Sequence, residues 1–176
     1  MKSNKSGAFT LIEILVAVAI FSLIIGVASS VFVLSIKAQR KTLSDREILS
    51  QVSYAMEYVS RAIRMARKDI DGNCTGGVAK SNFFKTATGV AFENYEGDCQ
   101  EFYIESGRLK ESKDGNVNFL TAPNLTVSHF NINDLGWDQT DRIQPRVTLF
   151  LEILGFEQSQ IKIQTSISQR NLDYAR

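Results

Sequence analysis

The apolar residues of this 176-residue chain are concentrated in one segment near its beginning. From Ile14 to Ile36, 23 consecutive residues carry no charge, and 18 of them are hydrophobic. A helix of that length rises about 35 Å, enough to cross a hydrocarbon core of roughly 30 Å. The pattern therefore predicts one membrane-spanning helix and excludes a chain that is uniformly soluble.

Beyond Lys37 the apolar residues recur at spacings of three and four, the period of one helical face. They are Leu49, Val52, Met56, Val59, Ile63 and Ala66. No proline precedes Pro123, so we expect an unbroken helix from Phe9 to about Lys68, with Asp71-Gly72-Asn73 as its stop signal. Fewer than three clean heptads are present, which favours a helix packed on a sheet over a coiled coil.

From Gly89 onward the pattern changes to short runs that are typical of antiparallel strands. Ser106-Gly107 and Asp114-Gly115 are hairpin signals, and Pro145 stands just ahead of a strand, where proline is tolerated. The expected strands are 90–92, 101–104, 108–110, 117–120, 125–132, 146–153 and 161–167. The predicted fold is therefore α+β, with one long N-terminal helix packed on an antiparallel sheet head.

The length of the apolar segment and the residues before it limit which kind of membrane segment it can be. A cleavable secretory signal usually has an apolar region of about 7–15 residues, which is shorter than this one. A plain single-pass anchor fits the length, but lysines and arginines on both sides give it no orientation. Neither alternative explains Glu13, because a carboxylate in an apolar helix costs about 2.5–3.5 kcal/mol on insertion scales. Glu13 must either stay near the lipid headgroups or find a cationic partner.

The stretch Gly7-Ala8-Phe9-Thr10-Leu11-Ile12-Glu13, followed by the apolar segment, resembles the type IV pilin and type II secretion pseudopilin family. The resemblance covers roughly residues 5–40. It implies a pilin lollipop made of a leader (1–8), a transmembrane and filament-core helix (9–36), its amphipathic continuation (37–70) and a β-rich head (71–176). It also implies that a prepilin peptidase removes the leader and methylates the new amino terminus.

The family usually has glycine immediately before the cut, whereas this chain has Gly7-Ala8. A cut after Gly7 would make Glu13 the sixth mature residue. A cut after Ala8 makes Phe9 the first residue, to be N-methylated, and Glu13 the fifth, as the family pattern requires. The second cut is favoured, because alanine is the next smallest residue. Glu13 would then pair in the filament with the amino group of a neighbouring subunit, which fixes registry more than it adds stability.

Charge is divided along the chain. Residues 37–68 carry a net charge of +5 and residues 69–176 a net charge of −5. Arg61, Arg64, Arg67 and Lys68 could contact DNA phosphates, as a DNA-uptake pilus would need. Because aromatic residues are not interleaved among them, a solvated face, or one that meets the acidic head of a neighbouring subunit, is the favoured interpretation.

Cys74 and Cys99 are the only cysteines, and both lie in the expected head. If the head is outside the cytoplasm, a disulfide between them is the simplest interpretation, and two free buried thiols are the alternative. A metal site is not expected there, since His129 is the one further soft ligand and lies within a strand pattern. No cofactor is expected.

Two acidic clusters are weak candidates for calcium. Asp69-Ile70-Asp71-Gly72-Asn73 resembles the start of a calcium loop but lacks its later glutamate. Asp134, Asp138 and Asp141 crowd one loop, and some pseudopilins hold calcium in head loops. Solvated loop charge is the default for both clusters.

Catalysis has little support, because the chain has one histidine and lacks the nucleophile-elbow, phosphate-loop and zinc-protease motifs. We therefore expect a subunit that is not an enzyme. The segments 144–149 and 164–171 are similar to those of J-type minor pseudopilins, which implies a place at or near the filament tip. Glu13 argues against a K-type tip subunit, since that type typically lacks this glutamate.

The resemblance implies other pilins or pseudopilins, an inner-membrane platform protein and an indirectly acting assembly ATPase as partners. The precursor would span the inner membrane once, with its head outside the cytoplasm, and the mature form would enter a periplasmic or cell-surface filament. The alternative is a membrane-anchored extracytoplasmic enzyme or binding domain with a fortuitous leader. The sequence does not separate a secretion system from a pilus or a DNA-uptake apparatus.

Overall fold

The computed structural model describes residues 9–135, 144–156 and 159–170. The chain divides into two compact units, residues 1–40 and 41–176. One helix, α1 (Leu11–Met65), runs through the first unit and into the second. The remaining elements are antiparallel strands, and the predicted α+β class is confirmed.

In the described part of the chain, eight strands form two antiparallel sheets, each with its strands in chain order. The first sheet contains β1 (Phe84–Lys85), β2 (Gly89–Glu93), β3 (Cys99–Glu105), β4 (Arg108–Lys113) and β5 (Asn116–Phe119). The second contains β6 (Thr126–Leu135), β7 (Arg146–Leu154) and β8 (Gln160–Ser168). All seven expected strands are present, and β1 is an addition, since two residues are too few for a periodic signal.

Two hairpin turns were predicted correctly. Ser106 and Gly107 have φ values of 54° and 71°, and Asp114 and Gly115 have values of 49° and 80°. Positive φ at both central residues is the geometry of a type I′ turn, whose twist matches that of the flanking strands. These turns fix the register of β3, β4 and β5, with Glu105 opposite Arg108 and Lys113 opposite Asn116.

The core lies between α1 and the two sheets and contains twenty buried apolar side chains among the described residues. Its aromatic part is a chain of ring contacts, from Tyr58 to Phe102 (6.1 Å), from Phe102 to Phe92 (5.8 Å) and from Phe92 to Phe83 (6.1 Å). Aromatic pairs at these separations add stability beyond the area that they bury. The second half of α1 is therefore covered by the sheets of the same chain.

The buried face of α1 differs from the predicted one at its first position. Leu49 is 48% exposed, whereas Ile48 is fully buried. The Ile48 side chain packs directly against Gly155. A Cβ atom added at Gly155 would lie only 2.4 Å from the Cδ1 atom of Ile48. The burial of Ile48 depends on Gly155, a residue more than a hundred positions away. Helical spacing contains no information on that contact, which explains why it predicted burial of Leu49 instead.

The helix also ends earlier than the expected position near Lys68. After Met65 the chain leaves the helix to bridge the sheet, with the Arg67 N–H donating to Glu93 O (2.9 Å) and the Asp69 N–H to Ser81 O (2.9 Å). Extended pairing replaces the helical hydrogen bonds of these residues. The Asp71-Gly72-Asn73 turn lies beyond this bridging stretch, and Gly72 there has a φ of 77°.

Candidate functional site

The start of α1 is a capped helix end that begins two residues after Phe9. The Thr10 hydroxyl oxygen accepts the Glu13 N–H at 3.3 Å, and Thr10 O accepts the N–H groups of Glu13 (3.1 Å) and Ile14 (3.3 Å). Thr10 and Glu13 stand at the two positions of a Thr-x-x-Glu capping box, which predicts a helix start from sequence. The cap therefore begins the helix immediately after the favoured first residue of the mature chain. Gly7 and Ala8 lie outside the described residues.

Glu13 lies in the first turn of α1 and is exposed among apolar side chains. Ala17 and Phe21 are four and eight residues after Glu13 and share its face of the helix. Phe9 precedes the helix and lines the same surface depression as these three residues. The N-terminal end of a helix dipole favours a carboxylate by about 0.3–1 kcal/mol, less than the cost of an unpaired charge in lipid. The position thus stabilises the carboxylate locally and still requires a headgroup or a cation beside it.

The apolar segment of α1 has no buried side chain from Leu11 to Leu43. By length and composition this helix can cross a membrane, and none of its apolar window is buried among the described residues. Two of its hydroxyls are satisfied within the helix: Ser22 donates to Val18 O (2.8 Å) and Ser30 to Val27 O (2.7 Å). Internal satisfaction of polar groups is what a helix in hydrocarbon needs.

In the head, Cys74 and Cys99 form a disulfide, as predicted. The bond joins the loop after α1 to the first residue of β3 across a sequence separation of 25. The alternative of two free thiols is wrong. Disulfides persist in oxidising compartments.

Asp69 organises the loop that carries Cys74, and sequence analysis missed this role. Its carboxylate is 2% exposed and accepts the N–H groups of Gly72 (2.8 Å), Asn73 (3.2 Å), Cys74 (2.7 Å) and Thr75 (2.9 Å). It also accepts the Thr75 hydroxyl at 2.9 Å. Asp69 is thus a buried hub rather than the solvated loop charge expected. Its oxygens are already used by N–H and O–H donors, an arrangement unlike a calcium loop.

Two opposing effects set the pKa of Asp69. Burial raises the pKa of this carboxyl, but the hydrogen bonds from the Cys74 N–H, the Thr75 hydroxyl and the Gly72 and Thr75 N–H groups lower it further than burial raises it. The net pKa lies below its ordinary value. The carboxylate is therefore ionised and available as an acceptor at neutral pH.

A second buried polar contact lies under the helix. The Tyr58 hydroxyl donates to Glu111 Oε1 at 2.7 Å, and Gln100 Nε2 donates to the same oxygen at 2.5 Å. Burial of Tyr58 raises its pKa most, and its hydrogen bond to Glu111 and the negative charge of Glu111 raise it further, to about 12. Tyr58 therefore remains a donor at physiological pH and joins α1 to β4.

The other candidate metal residues are only partly described. Asp138 and Asp141 lie outside the described residues, and Asp134 belongs to β6, where its backbone pairs with Val147. Among the described residues, no group of three His, Cys, Asp or Glu side chains is placed to hold a metal ion. His129 lies in β6, as its pattern indicated, with Nδ1 3.1 Å from Glu152 Oε2.

The basic residues near the end of α1 take part in the fold to different degrees. Arg61 pairs with Glu57 at 2.9 Å, and both side chains are well exposed. Arg64 O accepts the Arg170 N–H at 2.8 Å, and the Arg67 N–H joins β2. Exposed pairs of this kind contribute little stability. The side chains of Arg61, Arg64 and Arg67 are exposed and can therefore meet solvent or a partner.

Comparison with known proteins identifies the N-terminal segment. The family model described as the prokaryotic N-terminal methylation motif matches residues 3–29. No curated protein and no solved structure matches the chain. The match confirms the prepilin-type signal predicted from sequence. Motif and uncovered apolar helix together indicate a pilin-like or pseudopilin-like subunit that is made as a membrane-anchored precursor.

Proposed function

We propose that this chain is the precursor of a minor pilin or pseudopilin, which assembles into a type IV pilus-like or type II secretion filament. The observation that carries the proposal is the methylation motif over residues 3–29, followed by a capped helix whose apolar surface the chain itself does not cover. Such a helix requires lipid before assembly and other apolar helices after it. The work of the subunit is mechanical, and the head is a packing and interaction module rather than an enzyme.

A prepilin peptidase would cut between Ala8 and Phe9 and methylate the Phe9 amino group. Thr10 supports this position, because its cap starts the helix directly after the new terminus. Phe9 is 76% exposed, so its ring is available to a neighbouring surface. A cut after Gly7 would add one alanine to the mature chain and move Glu13 to the sixth position.

Glu13 would pair with the mature amino group of a neighbouring subunit. Each charge is costly alone in an apolar surrounding, and together they satisfy one another at one register. The exposed carboxylate, on the helix face of Ala17 and Phe21 and beside Phe9, supports this pairing. The platform protein and fellow subunits would receive the helix from the membrane.

The head would lie outside the cytoplasm, where the Cys74–Cys99 disulfide is stable. We place the subunit at or near the tip, on the J-type similarity of residues 144–149 and 164–171. The charge difference between residues 37–68 and residues 69–176 would let the basic helix of one subunit face the acidic head of the next. DNA contact by the basic face is the less favoured assignment.

Mass spectrometry of the mature N-terminus tests the proposal most directly. The protein is purified from cells with an active prepilin peptidase and from cells that lack it. We expect N-methylated Phe9 in the first and intact Met1 in the second. A terminus at Ala8 would correct the cut alone, whereas intact Met1 in both would overturn the proposal in favour of an anchored enzyme or binding domain.

Glu13→Gln tests the pairing, since glutamine keeps the size of the side chain and removes its charge. We expect normal membrane insertion and cleavage, with incorporation into filaments reduced about tenfold or more, which corresponds to the loss of one buried charge pair. Glu57→Gln is the matched control on the same helix, because Glu57 is exposed and pairs only weakly with Arg61. Equal incorporation of both variants would remove Glu13 from assembly.

A further inference from the structure

The strand β5 is an open edge of the five-stranded sheet. Among the described strands it pairs only with β4, and all four of its residues, Asn116 to Phe119, are exposed. Two of them are large and apolar: Val117 is 50% exposed and Phe119 is 54% exposed. An edge strand presents unpaired backbone groups, and exposed apolar side chains add surface that a partner strand can cover.

The register shows which backbone groups point outward. Leu120 N–H donates to Leu109 O at 2.9 Å, and the Leu109 N–H donates to the Thr121 hydroxyl oxygen at 3.1 Å. By alternation from Leu120 and Leu109, the hydrogen-bonded pairs of this ladder are Asn118 with Glu111 and Asn116 with Lys113. The N–H and C=O groups of Val117 and Phe119 therefore face away from β4. Among the described residues, no hydrogen bond occupies that side of the strand.

The other three sheet edges carry features that discourage pairing. The β1 edge is two residues long and includes Lys85. The β6 strand contains a bulge, and its Val127 N–H already donates to Gly107 O at 2.8 Å. The β8 strand carries Lys162 near its middle. Short length, bulges and lysines are the usual protections of an edge, whereas β5 has no charge, proline or bulge.

Two cations lie over the outer face of β5. The Arg108 guanidinium carbon is 3.7 Å from the centre of the Phe119 ring, and Lys110 Nζ is 4.8 Å from it. Arg108 donates to Thr121 O at 2.5 Å, and its Nε is buried without a hydrogen-bond partner among the described residues. Glu111, the acidic residue of β4, is buried on the opposite face with Tyr58. Lys110 Nζ is paired with the Glu105 carboxylate, so of these two cations Arg108 is the one without a carboxylate partner among the described residues. The surface beside the open edge is thus apolar and carries one uncompensated cation.

We propose that β5 is a docking edge for an extended acidic segment of another protein, which adds as a sixth antiparallel strand. Main-chain hydrogen bonds to Val117 and Phe119 would supply the affinity. Alternate apolar residues of the segment would cover those two side chains, and a carboxylate of the segment would pair with Arg108. This inference goes beyond the filament role and does not depend on it.

A second copy of the chain is the less suitable occupant. Each copy would bring the same cation, Arg108, and would leave it without a carboxylate.

The test uses the full chain in detergent micelles and a fluorescein-labelled peptide, Glu-Thr-Val-Thr-Val-Thr-Glu, followed by fluorescence anisotropy. In this peptide the glutamates and valines share one face, and their N–H groups are the ones that would point toward β5. A second peptide carries lysine in place of both glutamates, and a third carries N-methyl groups on both valines. We expect saturable binding of the first peptide below about 1 mM, weakened about tenfold or more by either change.

The matched variants are Val117→Pro and Val117→Ala. Proline removes an N–H that faces outward and leaves the hydrogen bonds to β4 in place, whereas alanine keeps the N–H and shortens the side chain. We expect Val117→Pro to bind the acidic peptide at least about tenfold more weakly than Val117→Ala. Circular dichroism checks the fold, and the N-methylated peptide tests the same hydrogen bonds without any variant.

Several results would overturn the proposal. They are absence of saturable binding to the native chain, equal binding of the N-methylated peptide, or equal binding of the lysine peptide. Self-association of the native chain that Val117→Pro abolishes would assign the edge to a second copy instead. Because Val117→Pro leaves residues 3–29 untouched, N-terminal processing should be unchanged, so failure here is distinguishable from failure of the filament role.

Discussion

The two halves of α1 are equally helical, but they differ in what covers their apolar side chains. Residues 11–43 have no buried side chain, and their apolar residues surround the helix. From Ser44 onward the buried residues form one face, namely Ser44, Ile48, Val52, Ala55, Met56, Val59 and Ile63. A helix that is apolar all round needs an environment outside the chain, whereas an apolar stripe can be covered by the chain's own sheets.

The same substitution in each half should therefore have different effects on the head. Ile63 is fully buried, and Ile63→Ala should lower the free energy of unfolding of the head by about 4 kcal/mol, because it removes packing and leaves a cavity. Ile24 is 60% exposed, and Ile24→Ala should change the free energy of unfolding of the head by less than about 0.5 kcal/mol. Urea denaturation in detergent, followed by near-ultraviolet circular dichroism, measures both. Equal losses would contradict the division of the helix.

Sequence patterns predicted this division because each half has its own periodicity. The uncharged run marks the first half, and apolar spacings of three and four mark the second. The strands and both type I′ hairpins followed from local signals, Ser106-Gly107 and Asp114-Gly115. The N-terminal signal could be recognised because its residues are contiguous.

What sequence reasoning missed depends on contacts between distant residues. Ile48 is buried because Gly155 leaves room for it, and α1 ends at Met65 because Arg67 pairs with β2. Asp69 looked like one of several loop carboxylates, yet the loop folds around it. An Asp followed within a few residues by glycine and threonine is a common turn pattern, so its burial had no distinct signal.

The loss of the disulfide should have the next largest effect on the stability of the head, which covers the second half of α1. Replacing Cys74 and Cys99 by serine releases a loop with a sequence separation of 25. We expect the free energy of unfolding to fall by about 3 kcal/mol, through the added freedom of the unfolded chain. Urea denaturation of the double variant measures this loss, and amide hydrogen exchange of residues 14–36 should not change.

An unchanged stability after reduction of the native protein would contradict this prediction. Faster amide hydrogen exchange of residues 14–36 in the double variant would also contradict it, because the disulfide lies in the other unit of the chain. The double variant also avoids a free cysteine, which could form intermolecular disulfides in a single variant.

Asp69 should make the stability of the head depend on pH. Its pKa in the folded state lies below the ordinary value, so its contribution is complete above the unfolded pKa near 4 and is lost as pH falls through the folded value. We expect Asp69→Asn to cost about 2 kcal/mol at pH 7 and to flatten the loss of stability below pH 4. Denaturation curves between about pH 2 and 7 test this expectation.

Asp71→Asn is the matched control for Asp69, since Asp71 lies two residues away and is exposed. It should leave both the stability at pH 7 and its acid dependence nearly unchanged. A profile for Asp69→Asn that parallels the native one below pH 4 would assign the acid sensitivity to other carboxyls.

The smallest predicted effect concerns the hydrogen bonds that hold the C-terminal end of α1 to the rest of the head. Gln169 is 2% exposed, and its Nε2 donates to Ala66 O at 2.6 Å, just past the last helical residue. At the other end of this half, the Ser44 hydroxyl donates to Phe156 O at 3.0 Å. Segments that flank β8 thus satisfy polar groups at both ends of the buried part of α1.

Gln169→Ala should therefore cost about 1 kcal/mol, because it leaves the Ala66 carbonyl without this donor. The loss should appear as faster amide hydrogen exchange in the last turn of α1, around Ile63 to Met65, before it appears in the global unfolding curve. Gln164→Ala, an exposed change on β8, is the control and should leave exchange unchanged. If both variants exchange at the native rate, the end of the helix is held by the Arg170 N–H to Arg64 O bond and by core packing, and the Gln169 side chain is dispensable there.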